Sequence, residues 1–438
     1  MSPYHLSQFR LYVLIGGVGS FASSVAFTLS QVYAIRSVHL DPLQLVLVGT
    51  VMEAVCFVAQ VPTGILADLY SRRLAVIAGY LLMGGGLVLW GLVPTYWAIL
   101  AANAIWSVGV VFTIGAEEAW ASDEIAGEAA YADPEAGQRR VAAAFLRSGQ
   151  AGQVGTFLGI PVAVGLAQAG LNVPLVVAAG LNLALGVALA VLMRERHFTP
   201  APRSEITTFA SMARQAADGV RAIRRSHVLA YVIGASFFIG LASEGFDRLS
   251  VAHFLDELHM PTALSPEMWI AVFAGVVALG SVVGTAAIGR RPELMQARAV
   301  TALLGIAQAI CTAGMLFFGL IGQFWPAAIA YLVVKIVRSV QGPVFDVVLV
   351  ANTASASRAT VLSFDQQLDA LGQVVGGPPA GAIGARTGAG LGVSTAGIFL
   401  LPAVGLFALA ARRTRVVSGS HERAGEAATG EAGAAAVL

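Results

Sequence analysis

Gly64-Ile65-Leu66-Ala67-Asp68-Leu69-Tyr70-Ser71-Arg72-Arg73 is a short polar break between two apolar runs. Asp68 closes the first run, and two arginines stand before the second begins. An ion in hydrocarbon costs several kcal/mol, so a charge cluster bracketed this way belongs at a membrane surface. The rest of the chain fits that placement. Of its 438 residues 57% are hydrophobic and 12% charged, with a mean hydropathy of +0.76. Soluble domains carry about a quarter charged residues, so the composition predicts a polytopic membrane protein. Net charge is +1 and no basic stripe occurs, so no nucleic-acid partner is expected. Cys56 and Cys311 lie far apart inside apolar runs and read as small buried side chains, not as a disulfide or metal site. Lys335 is the only lysine, and the Ala/Gly/Arg bias suggests a GC-rich bacterial source, hence a bacterial inner membrane.

Runs near the ~20 residues needed to span fall at about 11–35, 43–67, 74–93, 96–118, 142–168 and 173–193. A second set falls at about 228–251, 268–289, 299–322, 326–350, 361–385 and 390–411. The first run is long enough to span, so no separate cleavable signal is expected. The expected organisation is a six-helix bundle over 1–193, a linker over 194–227, a second bundle over 228–411, and a disordered tail over 412–438. Apolar residues at helical spacing between arginines in Ile206–Ile223 predict an amphipathic surface helix in the linker. With the N-terminus inside, the inner segments hold Arg10, Arg72, Arg73, Arg139, Arg140, Arg290, Arg291, Arg298 and Arg358, with the linker and tail arginines. The outer loops hold only Arg36 and Arg386. That asymmetry places both termini and the linker in the cytoplasm.

The halves repeat. Ala151-Gly152-Gln153-Val154-Gly155 in span five answers Leu371-Gly372-Gln373-Val374-Val375 in span eleven. Ile105 to Phe112 in span four answers Val337 to Phe345 in span ten, with one residue inserted, and Arg72-Arg73 answers Arg290-Arg291. Two like-oriented six-helix repeats, with Gly64-x-Leu66-x-Asp68-x-x-x-Arg72-Arg73 between spans two and three, resemble the major facilitator superfamily of transporters. Within it the chain is most similar to bacterial drug:proton antiporter-like proteins, including those labelled tetracycline or macrolide exporters. The resemblance implies an all-α fold of twelve transmembrane helices in two pseudo-symmetric bundles around a cavity. It also implies that Asp68 engages the start of span eleven and latches the cytoplasmic side in the outward-open state, where helix dipole and free N–H groups favour a carboxylate. The chain departs from the family loop at Leu69 and Ser71. The Arg-x-x-Gln-Gly pattern that drug antiporters carry in span four occurs here in span ten, as Arg338 to Gly342, while span four has Asn103.

Ionisable residues inside spans are costly and therefore informative. Glu53 lies near the midplane of span two, where loss of water disfavours the charged form of a carboxylate. It is the first candidate for proton coupling; the alternative is a permanently neutral, hydrogen-bonded Glu. Glu244 is the second. Asp247 is a third, unless it simply pairs with Arg248 at the outer surface. Lys335 and Arg338 share a face of span ten, with Asp346 two turns on. They could bind an anionic or chelating substrate, or form a structural network with Glu244 or Glu53. Asn103, the repeat mate of Lys335, is expected to face it. Phe27, Gln31, Trp106, Phe112, Phe246 and Phe345 fall on spans one, four, seven and ten, as ordinary packing or as an amphipathic cavity lining. Gly64, Asp68, Arg72 and Arg73 join Glu117, Glu118, Arg147, Asp365 and Asp369 at the inner ends of spans as a candidate cytoplasmic gate. The glycines at 152, 155, 159, 372, 376 and 377 are expected to allow close helix approach.

There is no Gly-x4-Gly-Lys-Ser/Thr loop, so ATP does not drive the protein directly. No nucleophile-and-base or metal-ligand spacing occurs, so no enzyme, cofactor or metal is expected. The expected partners are a small-molecule substrate, protons and the lipid bilayer, with the protein a monomer. The leading expectation is proton-coupled efflux of amphipathic small molecules. Import of a polar or anionic metabolite, or a non-transporting sensor, are the alternatives.

Overall fold

Apolar runs in hydrocarbon satisfy their backbone groups by coiling into helices, and the local signals for starting and stopping them are in place. The computed structural model describes residues 7–129, 134–200, 217, 220, 221, 223, 226–291, 297–351, 353 and 358–413. The predicted linker helix and the tail lie almost wholly outside these residues. The first span is α1 (Gln8–Phe27) continued by α2 (Ser30–Arg36). Next come α3 (Pro42–Leu69), α4 (Arg72–Leu92), α5 (Tyr96–Thr113) with α6 (Ala116–Ala129), α7 (Pro134–Ala167) and α8 (Val173–Leu192). The second half has α9 (His227–Ala252), ending in a π turn at His253–Glu257, then α10 (Pro266–Gly289), α11 (Ala297–Leu320) and α12 (Phe324–Ala351). It closes with α13 (Arg358–Thr387) and α14 (Ala389–Phe399), the last span running on to Arg413. Among the described residues there is no strand.

Asp41 opens α3 with a reciprocal capping box to Gln44 and with Pro42 at its first position. Thr95, Ser226 and Ser265 cap α5, α9 and α10 through their hydroxyls. Ten stretches among the described residues are long and apolar enough to cross a membrane. The spans formed by α12 and α13 fall outside that set, since their charges, amides and glycines lower their hydropathy. Span four does not run unbroken to Glu118. Gly115, at φ +78°, ends α5 and starts α6, with its N–H donating to the Glu118 carboxylate (3.0 Å).

The pairings within each half match. α1 packs along α7 and α4 against α5 and α8; likewise α9 packs along α13 and α11 against α12 and α14. This is the two-fold repeat seen in the sequence, now in three dimensions: twelve spans in two six-helix bundles. Gly155 and Gly159 lie against Gly17, Phe21 and Ser24 of α1, and Gly372 and Gly376 against Phe237 and Leu241 of α9. These glycines therefore tighten each bundle internally. Gly377 differs, since it faces Thr50 and Val46 of the other bundle.

Alternating chain direction puts the described helix ends at 69–73, 113–129, 192–197, 289–291, 351 and 358 at one end, the arginine-rich face. The two bundles meet mainly toward the other end. Gly381 lies against Val46 and Leu43, and Gly384 against Pro42. The Gln31 amide donates to the Asp247 carbonyl (2.9 Å), and Arg36 pairs with Glu267 (3.3 Å). Toward the arginine-rich face the seam parts, leaving Val58, Leu66 and Tyr70 exposed and open space beside Gly64.

The structure also accounts for Ser71. Its hydroxyl accepts from the Leu74 N–H (3.0 Å), capping α4, and donates to the Glu195 carboxylate (2.5 Å). Glu195 in turn accepts the Arg73 N–H (3.0 Å). Beside it, buried Glu124 accepts the N–H groups of Arg196 (2.6 Å) and His197 (2.7 Å), and the Trp120 ring N–H donates to the Arg194 carbonyl (2.6 Å). Residues 194–197 are thus strapped across the first bundle. Ser71→Ala removes cap and strap together and should lower stability by about 1–2 kcal/mol, read as a lower unfolding midpoint of the purified protein. Ser71→Asn should restore part of it; equal midpoints for all three forms would refute the strap.

Candidate transport site

Asp247 and Arg248 are adjacent in sequence, and a helix turns them about 100° apart, so they cannot share a partner easily. The surface pair expected between them does not form. Asp247 turns into the second bundle, where its carboxylate receives Lys335 Nζ (2.9 Å) and both ends of the Arg338 guanidinium (2.9 and 3.0 Å). Arg338 also donates to the Ser243 hydroxyl (2.9 Å). Fully buried Phe246 lies beneath both cations, 5.9 Å from Lys335 Nζ and 5.6 Å from the Arg338 guanidinium. Arg248 turns instead toward the first bundle. It pairs with Glu244 one turn back (3.1 Å) and reaches the Met52 sulfur of α3 (3.7 Å). The pair seats on Gly49, where any side chain would overlap the Glu244 carboxylate and the Arg248 guanidinium.

Glu53, one turn from Gly49, is half-buried on the same face of α3. It lies within electrostatic range of Glu244, Arg248 and Asp369. It has no hydrogen bond or ion pair among the described residues.

Two cavities line the parted seam. One, of about 430 Å³, lies in the second bundle and is walled by Ser236, Ser243, Asp247, Arg338, Asp365 and Asp369, with Gln308, Gln341, Phe345, Asp346 and Gln373 beside them. The other, of about 590 Å³, is walled by Tyr12, Glu117, Glu118, Ser148, Gln153 and Thr156 of the first bundle, with Ser281 of α10 across it. Asp365 accepts the Ser236 hydroxyl and Asp369 the Gln373 amide (2.7 Å). The Tyr80 hydroxyl donates to Glu117 (3.3 Å).

Several expected placements change. Asn103 is buried inside the first bundle, its amide reaching the Val48 carbonyl (3.5 Å), and does not face Lys335. Pseudo-symmetry gave its register but not its neighbours. Lys335 is absent from the cavity wall, while Arg338 lines it already bound to Asp247. Of the aromatics, Phe345 lines a cavity, Phe246 is core, and Phe27 packs edge-on to Trp106 (4.9 Å). Phe112 packs on the core of the first bundle. Gln31 is spent on the inter-bundle contact to Asp247, and Asp346 is exposed at the cavity mouth. Glu117, Glu118, Asp365 and Asp369 do not form a charged lock but line the cavities; Arg147 is exposed, stacked over Phe9 (5.5 Å). Asp68 pairs with Arg72 (3.2 Å), which also pairs with Asp123, and the Arg73 side chain donates to the Ala190 carbonyl (2.6 Å). In this state Asp68 is held within its own bundle. Gln308 of α11, whose amide donates to Gln341 of α12 (2.7 Å), was missed, since a lone amide inside a span carries no spacing signal; Gln341 had entered only as part of the Arg338 to Gly342 pattern.

Asp247→Asn leaves two cations without a counter-ion. The group is partly exposed, so the expected loss is about 2–3 kcal/mol, below the range for a fully buried pair. The unfolding midpoint and detergent-solubilised yield measure it. Glu244→Gln should cost less, because Arg248 remains near Glu53. The reverse order would overturn the pairing described here.

A family description for the Major Facilitator Superfamily matches residues 12–377. Among solved structures the chain is similar to the POT family transporter PepTSo, with a TM-score of 0.73 at 12% identity over 93% of this chain and 98% of that one. The nucleoside transporter NupG gives 0.68 at 14% identity, covering 93% and 99%. A bacterial homologue of the human lysosomal transporter Spinster, solved inward-facing and unoccupied, gives 0.68 at 15%, covering 94% and 98%. At such identities the likeness shows the fold alone. No curated protein sequence matches.

Proposed function

The chain belongs to the major facilitator superfamily, and from that premise we propose that it is a proton-driven exporter of amphipathic small molecules, working by alternating access. One observation carries the reading: the bundles are sealed to each other over one half of their length only, with the unpaired carboxylate of Glu53 at the edge of the seal. The arginine-rich face is the cytoplasmic one by the excess of arginine there, so this state is open to the cell interior.

Cargo enters the two cavities from that side. Opening the far side requires α9 and α13 to lift from α3, drawing the Glu244–Arg248 pair off Gly49. A proton arriving from outside neutralises Glu53, removes its repulsion with Glu244 and Asp369, and lets the seal re-form without cargo. On the cytoplasmic side closure offers Asp68 a second partner, the free N–H groups at the start of α13. It leaves Arg72 to Asp123 when it takes them. Phe345 in one cavity and Tyr12, Phe145 and Phe157 in the other supply apolar surface, and Glu53 is the coupling residue in preference to Glu244 and Asp247, which already have cationic partners.

Proton-coupled uptake of a polar metabolite is the second reading, favoured by the polar lining of the cavity in the second bundle. An anion as the ligand of Lys335 and Arg338 is disfavoured, since Asp247 occupies both.

In everted vesicles, amphipathic substrates should dissipate an imposed proton gradient, and Glu53→Gln should abolish this while leaving the yield of folded protein unchanged. Dissipation only by polar metabolites, with drugs inert, would favour the second reading; full activity in Glu53→Gln would remove it from coupling. The seal has its own test. With Cys56 and Cys311 replaced, Leu43→Cys and Gly381→Cys should form a disulfide readily, since a side chain at 381 lies against residue 43. The oxidised protein should not transport, and reductant should restore flux. Transport undiminished with the disulfide formed would overturn alternating access through this seam.

A further inference from the structure

The two cavities hold an unbalanced set of charges. In the second bundle the single charge of Asp247 is shared by two cations, Lys335 and Arg338, and Glu244 is matched by Arg248. That leaves Asp365 and Asp369 with only a hydroxyl and an amide as partners, and Asp346 with none among the described residues. In the first bundle Glu117 has the Tyr80 hydroxyl and Glu118 the Gly115 N–H, while Glu53, on the seam outside both cavity linings, has no hydrogen bond or ion pair among the described residues. Three cations thus face eight carboxylates across the two bundles, and all three are engaged by Asp247 or Glu244, which leaves six carboxylates with no ion pair among the described residues.

A second observation concerns hydroxyls that can accept from a ligand as well as donate to it. Thr312, buried and with an unpartnered hydroxyl, stands between Gln308 and Met315 on the stripe of α11 that lines the cavity of about 430 Å³. Thr50, also buried and unpartnered, lies one turn from Glu53 on the seam. A ligand that answers both features brings positive charge and N–H donors into a partly apolar chamber.

Resting on the transport reading above, we propose that the cargo is a protonated amine, an organic cation with N–H donors, and that Asp365 and Asp369 of α13 with Glu53 of α3 are its counter-charges. Lys335 and Arg338 are then framework, holding α12 to α9, and not ligands. The assignment also gives the cargo and the proton a common destination. An ammonium beside Glu53 and a proton on Glu53 relieve the same unmatched charge, so each displaces the other, which is the requirement for exchange. Asp369 stands two turns before Gly377, which meets Thr50 of α3 one turn from Glu53, and this puts the amine between the two bundles, where both states can hold it.

The test uses fluorescent probes of matched bulk and different charge: cationic dansyl-ethylenediamine, anionic dansyl-glycine and neutral dansyl-ethylamide. Each is titrated into the purified full-length protein in nanodiscs, with empty nanodiscs subtracted. The cation should bind about tenfold or more tightly than the anion, the step that one charge-assisted hydrogen bond supplies. Asp369→Asn and Asp365→Asn should each weaken the cation by about tenfold and leave the neutral probe unchanged, which also reports that the variants are folded. Asp346→Asn, a partnerless residue at the mouth that is safe to replace, should weaken the cation by a smaller factor. Equal or tighter binding of the anion, failure of the cation to bind, or cation binding unmoved by both α13 substitutions would each overturn the proposal. Binding is read without any gradient. A charge preference with no proton-coupled flux would therefore refute the proton-driven reading and leave this one standing, and an anion preference with intact flux the reverse.

Discussion

A charge placed in the interior of a membrane protein must find its opposite there, and span seven of this chain shows how far that rule reaches. Glu244, Asp247 and Arg248 sit within five positions on one helix. Because the helix turns about 100° per residue, Asp247 and Arg248 point to different neighbours. Asp247 gathers Lys335 and Arg338 and ties α9 to α12, fixing the interior of the second bundle. Arg248, steadied by Glu244, is pressed against Gly49 and Met52 and so becomes part of the boundary between bundles. One pairing is internal to a rigid body and has no reason to break. The other spans a joint, and motion of the bundles changes its surroundings.

That distinction decides which carboxylates can carry function. A matched carboxylate in low dielectric is a structural element; an unmatched one is a place where the protein has left room for something else to supply the charge. Glu53, Asp365 and Asp369 are of the second kind, and all three lie where the seam parts. The cavity that holds Asp365 and Asp369 is lined by amides, hydroxyls, aliphatic side chains and the Phe345 ring, so a ligand with an apolar body and a polar, charged end suits it better than a purely polar or purely apolar one.

Much of the fold was legible in the sequence because the bilayer imposes a length and polarity code that can be read one run at a time. Most spans were located within a few residues; the helix of span five starts eight residues before the apolar run, span four continues as α6 to Ala129, beyond the expected end at 118, and the two-fold repeat was visible as paired motifs. Partner choice was not legible. The 247–248 pairing was misread because adjacency in sequence was taken for adjacency in space, whereas the i, i+4 spacing of Glu244 and Arg248 was there to be used. Asn103 was assigned to the cavity by repeat position alone, and repeat position says nothing of which helix covers that face. Glu195 and Glu124 escaped notice because they lie beyond the spans, where carboxylates are ordinary. Only the geometry shows them gripping backbone N–H groups.

The strap at Ser71 and Glu195 alters where the first bundle ends. By hydropathy it stops at Met193, but residues 194–197 are bonded to α4 and α6, and the Phe198 ring lies 5.6 Å from the Arg72 guanidinium. The connection between the two bundles therefore leaves the first at Thr199, and its anchor is the very loop that carries Asp68. A pull on Thr199 would be delivered to Arg72 and its neighbours and not to the end of α8. A protein split for co-expression of its halves would keep this anchor only if the cut falls beyond Phe198; a cut at the membrane surface would strip the loop of the segment that braces it.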